Sequence, residues 1–146
     1  MERNSIFILL FRLSTKQNAQ LLREGKLSEI DLENLIEELE AMGRSEKRAF
    51  VSRLAVLIAH LLKWQYQQAR SKSCRHTIKE QRNKVIDLLE DNPSFKRSLG
   101  DTLSNAYEDA VLIVLKETPL DESDLPASCP YTVEQVMDDD FWPEGV

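Results

Sequence analysis

The run Leu54-Ala55-Val56-Leu57-Ile58-Ala59-His60-Leu61-Leu62 decides the fold. Eight of its nine side chains are apolar and the ninth is His60. A helix on the surface of a bundle keeps a polar outer face; one that is apolar almost all round is the most buried member. The run falls well short of the ~20 apolar residues that a membrane span needs. At 100° per residue, Phe50, Leu54, Leu57, Ile58, Leu61 and Leu62 cover one broad face. Arg53, His60 and Gln67 line up on the other, with Lys63 beside them and Trp64 at the border. The reading predicts a central buried helix over 45–67, capped by Ser45, with Glu46 suited to the dipole of its first turn.

Working outward, Leu32, Leu35, Ile36, Leu39 and Met42 recur at helical spacing and predict a buried stripe on a preceding helix, which ends at Gly43. Glu33, Glu37 and Glu40 occupy another face of it. A tight turn over Gly43–Ser45 makes the two helices antiparallel neighbours, so Glu37 or Glu40 is expected to pair with Arg53. Further upstream, a first helix is expected from Ser5 to Glu24, stopped by Gly25. Its start, MERNSIFILLFRLS, offers only six apolar residues before Arg12 and no cleavage site, so it reads as an amphipathic helix rather than a signal peptide.

Downstream, a helix capped by Ser73 ends at Asn92, because Pro93 disfavours helical geometry in the residue before it. Another runs from near Ser94 to about Glu117, with Gly100 as the point where it kinks or splits. Thr132 and Gln135 form a capping-box pattern for a short last helix, Val133 to about Asp139. The expected fold is all-α: a single-domain bundle over 1–146, with about five main helices and the short C-terminal helix. Residues 118–146 form an acidic, proline-containing segment packed on the bundle or trailing from it.

A chain of 146 residues can bury about 68–70% of its unfolded surface and needs no disulfide or metal to hold it. Cys74 and Cys129 lack any Cys/His ligand spacing and read as reduced thiols of a cytoplasmic protein. No Glu-x-x-His pair exists, since Leu57 precedes His60 by three and Ser73 precedes His76 by three. There is no glycine-rich phosphate loop and no nucleophile motif. The reading therefore predicts no metal and no cofactor. The net charge of −6 hides an asymmetry: residues 117–146 carry nine acids and no Lys or Arg. Residues 63–84 carry Lys63, Arg70, Lys72, Arg75, Lys79, Arg82 and Lys84 against Glu80 alone, a patch able to hold phosphates or to pair with acids of this chain.

DLENLIEELEAMGRSEKRAF (31–50), SRLAVLIAHLLKWQYQ (52–67) and TIKEQR (77–82) resemble the bacterial family called domain of unknown function 29, common in cyanobacteria. LLREGKLSEI (21–30) and CPYTVEQVMDDDFWPE (129–144) extend the resemblance over roughly residues 19–144. The family commonly has Pro where Gln68 stands and Trp where Cys74 stands, and it usually opens on an acidic-aromatic helix where this chain has SIFILLFRLSTKQ. The resemblance implies an α-helical fold and no known activity.

Its motif positions that can form a partner or ligand surface here are Glu37, Arg44, Lys47, Arg48, Arg53, His60, Lys63, Trp64, Tyr66 and Arg82. Charged and aromatic residues gathered in this way suit recognition. The leading expectation is a cytoplasmic, non-enzymatic module that binds another protein or a second copy, with no membrane association. A nucleic-acid-associated regulator using segment 63–84 is the alternative, and an enzyme with an unrecognised site the third. His60, among apolar neighbours, is expected to be partly buried and hydrogen-bonded.

Overall fold

A computed structural model of the chain describes residues 16–67 and 70–144. The described residues contain no strand. They form helix α1 (16–23), α2 (Leu32–Leu62), α3 (Lys72–Asp91), α4 (Leu99–Glu117) and α5 (Val133–Met137), the all-α class expected. The expected first helix lies largely outside the described residues. Its described end stops before Gly25, whose φ of 69° suits a residue without Cβ. No helix among the described residues is long and apolar enough to cross a membrane.

Gly43 does not end a helix. Residues 43–45 are helical, and α2 runs through them for 31 residues. The central helix therefore begins at Leu32 rather than Ser45, and its regular α geometry ends at Leu62. A glycine inside a helix costs only ~1 kcal/mol relative to alanine, too little to break a helix propagating from both sides. Asp31 opens α2: its Oδ1 accepts the Asn34 N–H at 3.3 Å. A continuous helix holds no reversal at 43–45, so the turn on which the expected pairing of Glu37 or Glu40 with Arg53 rests is absent.

The chain divides into two compact units, Met1–Ser45 and Glu46–Val146. Within the first, Asn18 is the one buried side chain among the described residues. The stripe expected to be buried is open: Leu32 is 63% exposed, Ile36 46%, Leu39 59% and Met42 56%, with Leu35 half-buried. Helical spacing places these residues on one face, but it does not provide anything to cover them.

The second unit holds the apolar core. Seven of the nine residues of the opening run are buried, and Val56 and His60 are half-buried. Each full burial of a Leu or Ile contributes roughly 1.5–3 kcal/mol. Phe50 meets Phe95 at 5.3 Å between ring centroids, and Ile78, Val85, Ala106, Ala110 and Val114 close the core from α3 and α4. Ser71, not Ser73, caps α3, its hydroxyl accepting the Cys74 N–H at 3.0 Å. The stretch Pro93–Ser98 is a 3-10 turn, so α4 starts at Leu99. The Thr132/Gln135 capping box forms as read, over a helix that ends at Met137. Beyond α4 the chain sends Leu125, Tyr131 and Val136 into the same core.

Candidate functional site

After Leu62 the helix widens into a π turn, Lys63–Gln67. Such turns are rare and are often found at functional sites. Here the turn carries Lys63, Trp64, Gln65 and Tyr66, all half-buried. Trp64 packs on Trp142 with centroids 4.7 Å apart. Arg70 lies over Trp64 at 5.5 Å, and Arg75 and Arg82 lie over Trp142 at 5.3 and 5.5 Å. Tyr131 donates its hydroxyl to Gln65 Oε1 at 2.7 Å, and burial pushes its phenol well above the usual value.

Arg82 is fully buried. Its Nε donates to the Val136 carbonyl at 2.9 Å and its Nη2 to the Phe141 carbonyl at 2.7 Å, while Nη1 has no hydrogen-bond partner among the described residues. Burial pushes its pKa below the usual value, opposed by the charges of Asp139 and Asp138. The guanidinium ties α3 to the end of the chain, and two of its donors are spent on backbone carbonyls.

One turn back, His60 Nδ1 lies 3.6 Å from Cys74 Sγ, so the half-buried histidine has the side-chain partner expected of it. Beside it, Lys63 donates to Glu117 in an ion pair. Burial first, then the Lys63 charge, holds His60 below its ordinary pKa, against Glu117. Burial pushes the Cys74 thiol up, against Lys63. A nucleophilic cysteine needs its thiolate. These surroundings favour the neutral thiol and the neutral imidazole, the reverse of an activated pair. Among the described residues no three His, Cys, Asp or Glu side chains gather as a metal site.

Of the other sequence-derived positions, Lys47, Arg48 and Arg53 lie earlier on α2. Lys47 is half-buried: its ammonium donates to Ser98 Oγ at 3.0 Å and Thr102 Oγ1 at 2.8 Å and sits over the Phe95 ring at 4.9 Å. Arg48 and Arg53 are exposed on α2, Arg53 beside a small groove shared with Ala49, Val56 and Gln81. Glu37 and Arg44 belong to the first unit and are exposed there. The structure thus brings together His60, Lys63, Trp64, Tyr66 and Arg82 along one end of α2 and its facing elements, and leaves Lys47 in a separate structural role. Cys74, Glu117 and Trp142 belong with the cluster and were not singled out by spacing, because only tertiary packing brings them in.

Among the described residues, two apolar surfaces are open. One is the stripe Leu32, Ile36, Leu39 and Met42, beside exposed Glu33, Glu37 and Glu40. The other is a groove of about 800 Å³ between α4 and residues 122–127, floored by Tyr107, Val111, Leu112, Leu115 and Leu125. Tyr107 spends its hydroxyl on the Pro126 carbonyl across that groove, and burial pushes its pKa up to about 12.

The family profile described as "Domain of unknown function DUF29" matches residues 11–142. No curated protein matches the chain, and no solved structure does.

Proposed function

The chain belongs to the DUF29 family, and we propose that it is a non-enzymatic protein-interaction module that docks a partner on the open stripe of α2. The observation that carries this reading is the exposure of four large apolar side chains in a row on a single helix face: Leu32, Ile36, Leu39 and Met42. Scattered apolar residues on a surface are ordinary, whereas a contiguous patch bordered by charge marks an interaction site. Positions at i, i+4, i+7 and i+10 offer the anchor spacing by which helices recognise grooves or other helices.

The nucleic-acid alternative has less to work with than the basic segment suggests. Of its seven cations, Arg82 is buried with donors on backbone carbonyls, Lys63 pairs with Glu117 and Lys84 with Glu80. Phosphate binding draws on cations that can be brought to the backbone, and Arg70, Lys72, Arg75 and Lys79 remain exposed for it. Among the described residues the enzyme alternative rests on the His60–Cys74 pair, whose burial favours the neutral thiol and the neutral imidazole. Placement in the cytoplasm accords with two free cysteines.

The test is affinity capture from the native host with the full chain and with Leu39→Asp, followed by mass spectrometry with and without nuclease. Leu39 is exposed, so the variant should keep its helical circular dichroism. A protein enriched by the wild type and lost with Leu39→Asp is the expected result. Identical capture by both chains, or partners released by nuclease, would overturn the reading.

A further inference from the structure

Resting on the reading of the stripe as a docking surface, we propose that its occupant is a cationic amphipathic helix of another protein, one whose apolar ridge is flanked by Lys or Arg. At 100° per residue, Leu32, Leu35, Ile36, Leu39 and Met42 span about 120° of the helix circumference. Glu40, Glu33 and Glu37 follow the Ile36 edge of that sector, starting about 40° beyond it. All three are exposed, and none forms an ion pair among the described residues. From Leu27 to Met42 the sequence holds six acids and no Lys or Arg.

Carboxylates four residues apart repel one another, so this edge works against the free helix. A partner bringing cations to it relieves that repulsion while its apolar side chains cover the stripe. Charge also decides between occupants. A second copy would set acidic edge against acidic edge, with Arg44 the one base within two residues of the stripe to offset it. An anionic lipid surface would be repelled for the same reason. Complementary flanking charge is what selects partners between helices of similar apolar ridge. The stripe from Leu32 to Met42 is about 15 Å long, so three turns of partner helix cover it.

The probes are three synthetic peptides of three heptads each, titrated calorimetrically into the full chain at low and at physiological salt. One has a Leu ridge flanked by Lys, one the same ridge flanked by Glu, and one the Lys flanks with Ser in place of the ridge. The Lys peptide should bind at least about tenfold tighter than the Glu peptide, with the gap narrowing as salt screens the flanks. The Ser peptide should not bind, and Leu39→Asp should abolish binding of the Lys peptide. The triple variant Glu33→Lys, Glu37→Lys, Glu40→Lys should reverse the preference.

Equal binding of the Lys and Glu peptides, unchanged by the triple variant, would overturn the charge proposal and leave the stripe as a docking surface. So would a concentration-dependent dimer in sedimentation that Leu39→Asp abolishes and the Lys peptide cannot disrupt, since the occupant would then be a second copy. Lys-peptide binding that survives Leu39→Asp would overturn both proposals, because the stripe would play no part. Failure of the Lys peptide to bind the wild type would overturn the cationic helix alone, the host capture remaining the judge of the stripe.

Discussion

His60 stands fourteen residues before Cys74 in sequence and 3.6 Å from its sulfur in space. Its pKa is held below the ordinary 6.5 by burial and by Lys63. Below pH 6.5 the unfolded chain therefore takes up a proton that the folded chain resists, so stability is full above that pH and falls as pH drops through the folded value. The urea midpoint should decrease between pH 7 and pH 5, and by a smaller amount in His60→Gln. An equal decrease in both would assign the effect to another group. Glu117 acts in a separate, lower window. The hydrogen bond from Lys63 holds its carboxyl below the ordinary 4.5, so its contribution is present above that value and lost as pH falls further.

At the scale of elements, α2 carries the clearest lesson. The core run, the stop at Gly25 and the Thr132 capping box were legible because each rests on local spacing or local capping. Gly43 was misread because glycine is punctuation in many contexts and a modest cost in others. Helical periodicity also says which residues share a face and not what lies opposite, so the stripe of Leu32, Ile36, Leu39 and Met42 read as core. The cluster at the end of α2 was legible in part, through His60, Lys63, Trp64 and Arg82. Trp142 and Glu117 join it only by packing across the fold. A Cβ added at Gly43 meets nothing within 4 Å. Gly43→Ala should therefore stabilise the helix by about 0.5–1 kcal/mol, seen as stronger 222 nm circular dichroism and slower amide exchange over 40–47. A loss of helical signal would mean that the chain reverses there after all.

At the scale of the whole molecule, the two units differ in what they bury. Every buried apolar side chain among the described residues belongs to the second unit, from Phe50 to Pro143. Amide hydrogens are released from such a core only near global unfolding, while elements with few buried contacts open locally. Exchange measured on the full chain should therefore be slowest over 54–62 and 78–85, and faster over 16–45. Protection of 32–42 equal to that of 54–62 would mean that the stripe is covered in solution. Within the second unit the chain end is held by Arg82, which grips the carbonyls of Val136 and Phe141 rather than any side chain. A carbonyl is the same at every residue. The hydrogen bonds themselves therefore read no side chain of the segment, whereas Asp138 and Asp139 act on the buried guanidinium through charge; substitutions at these two positions change the electrostatic balance of Arg82 and leave its two backbone partners in place.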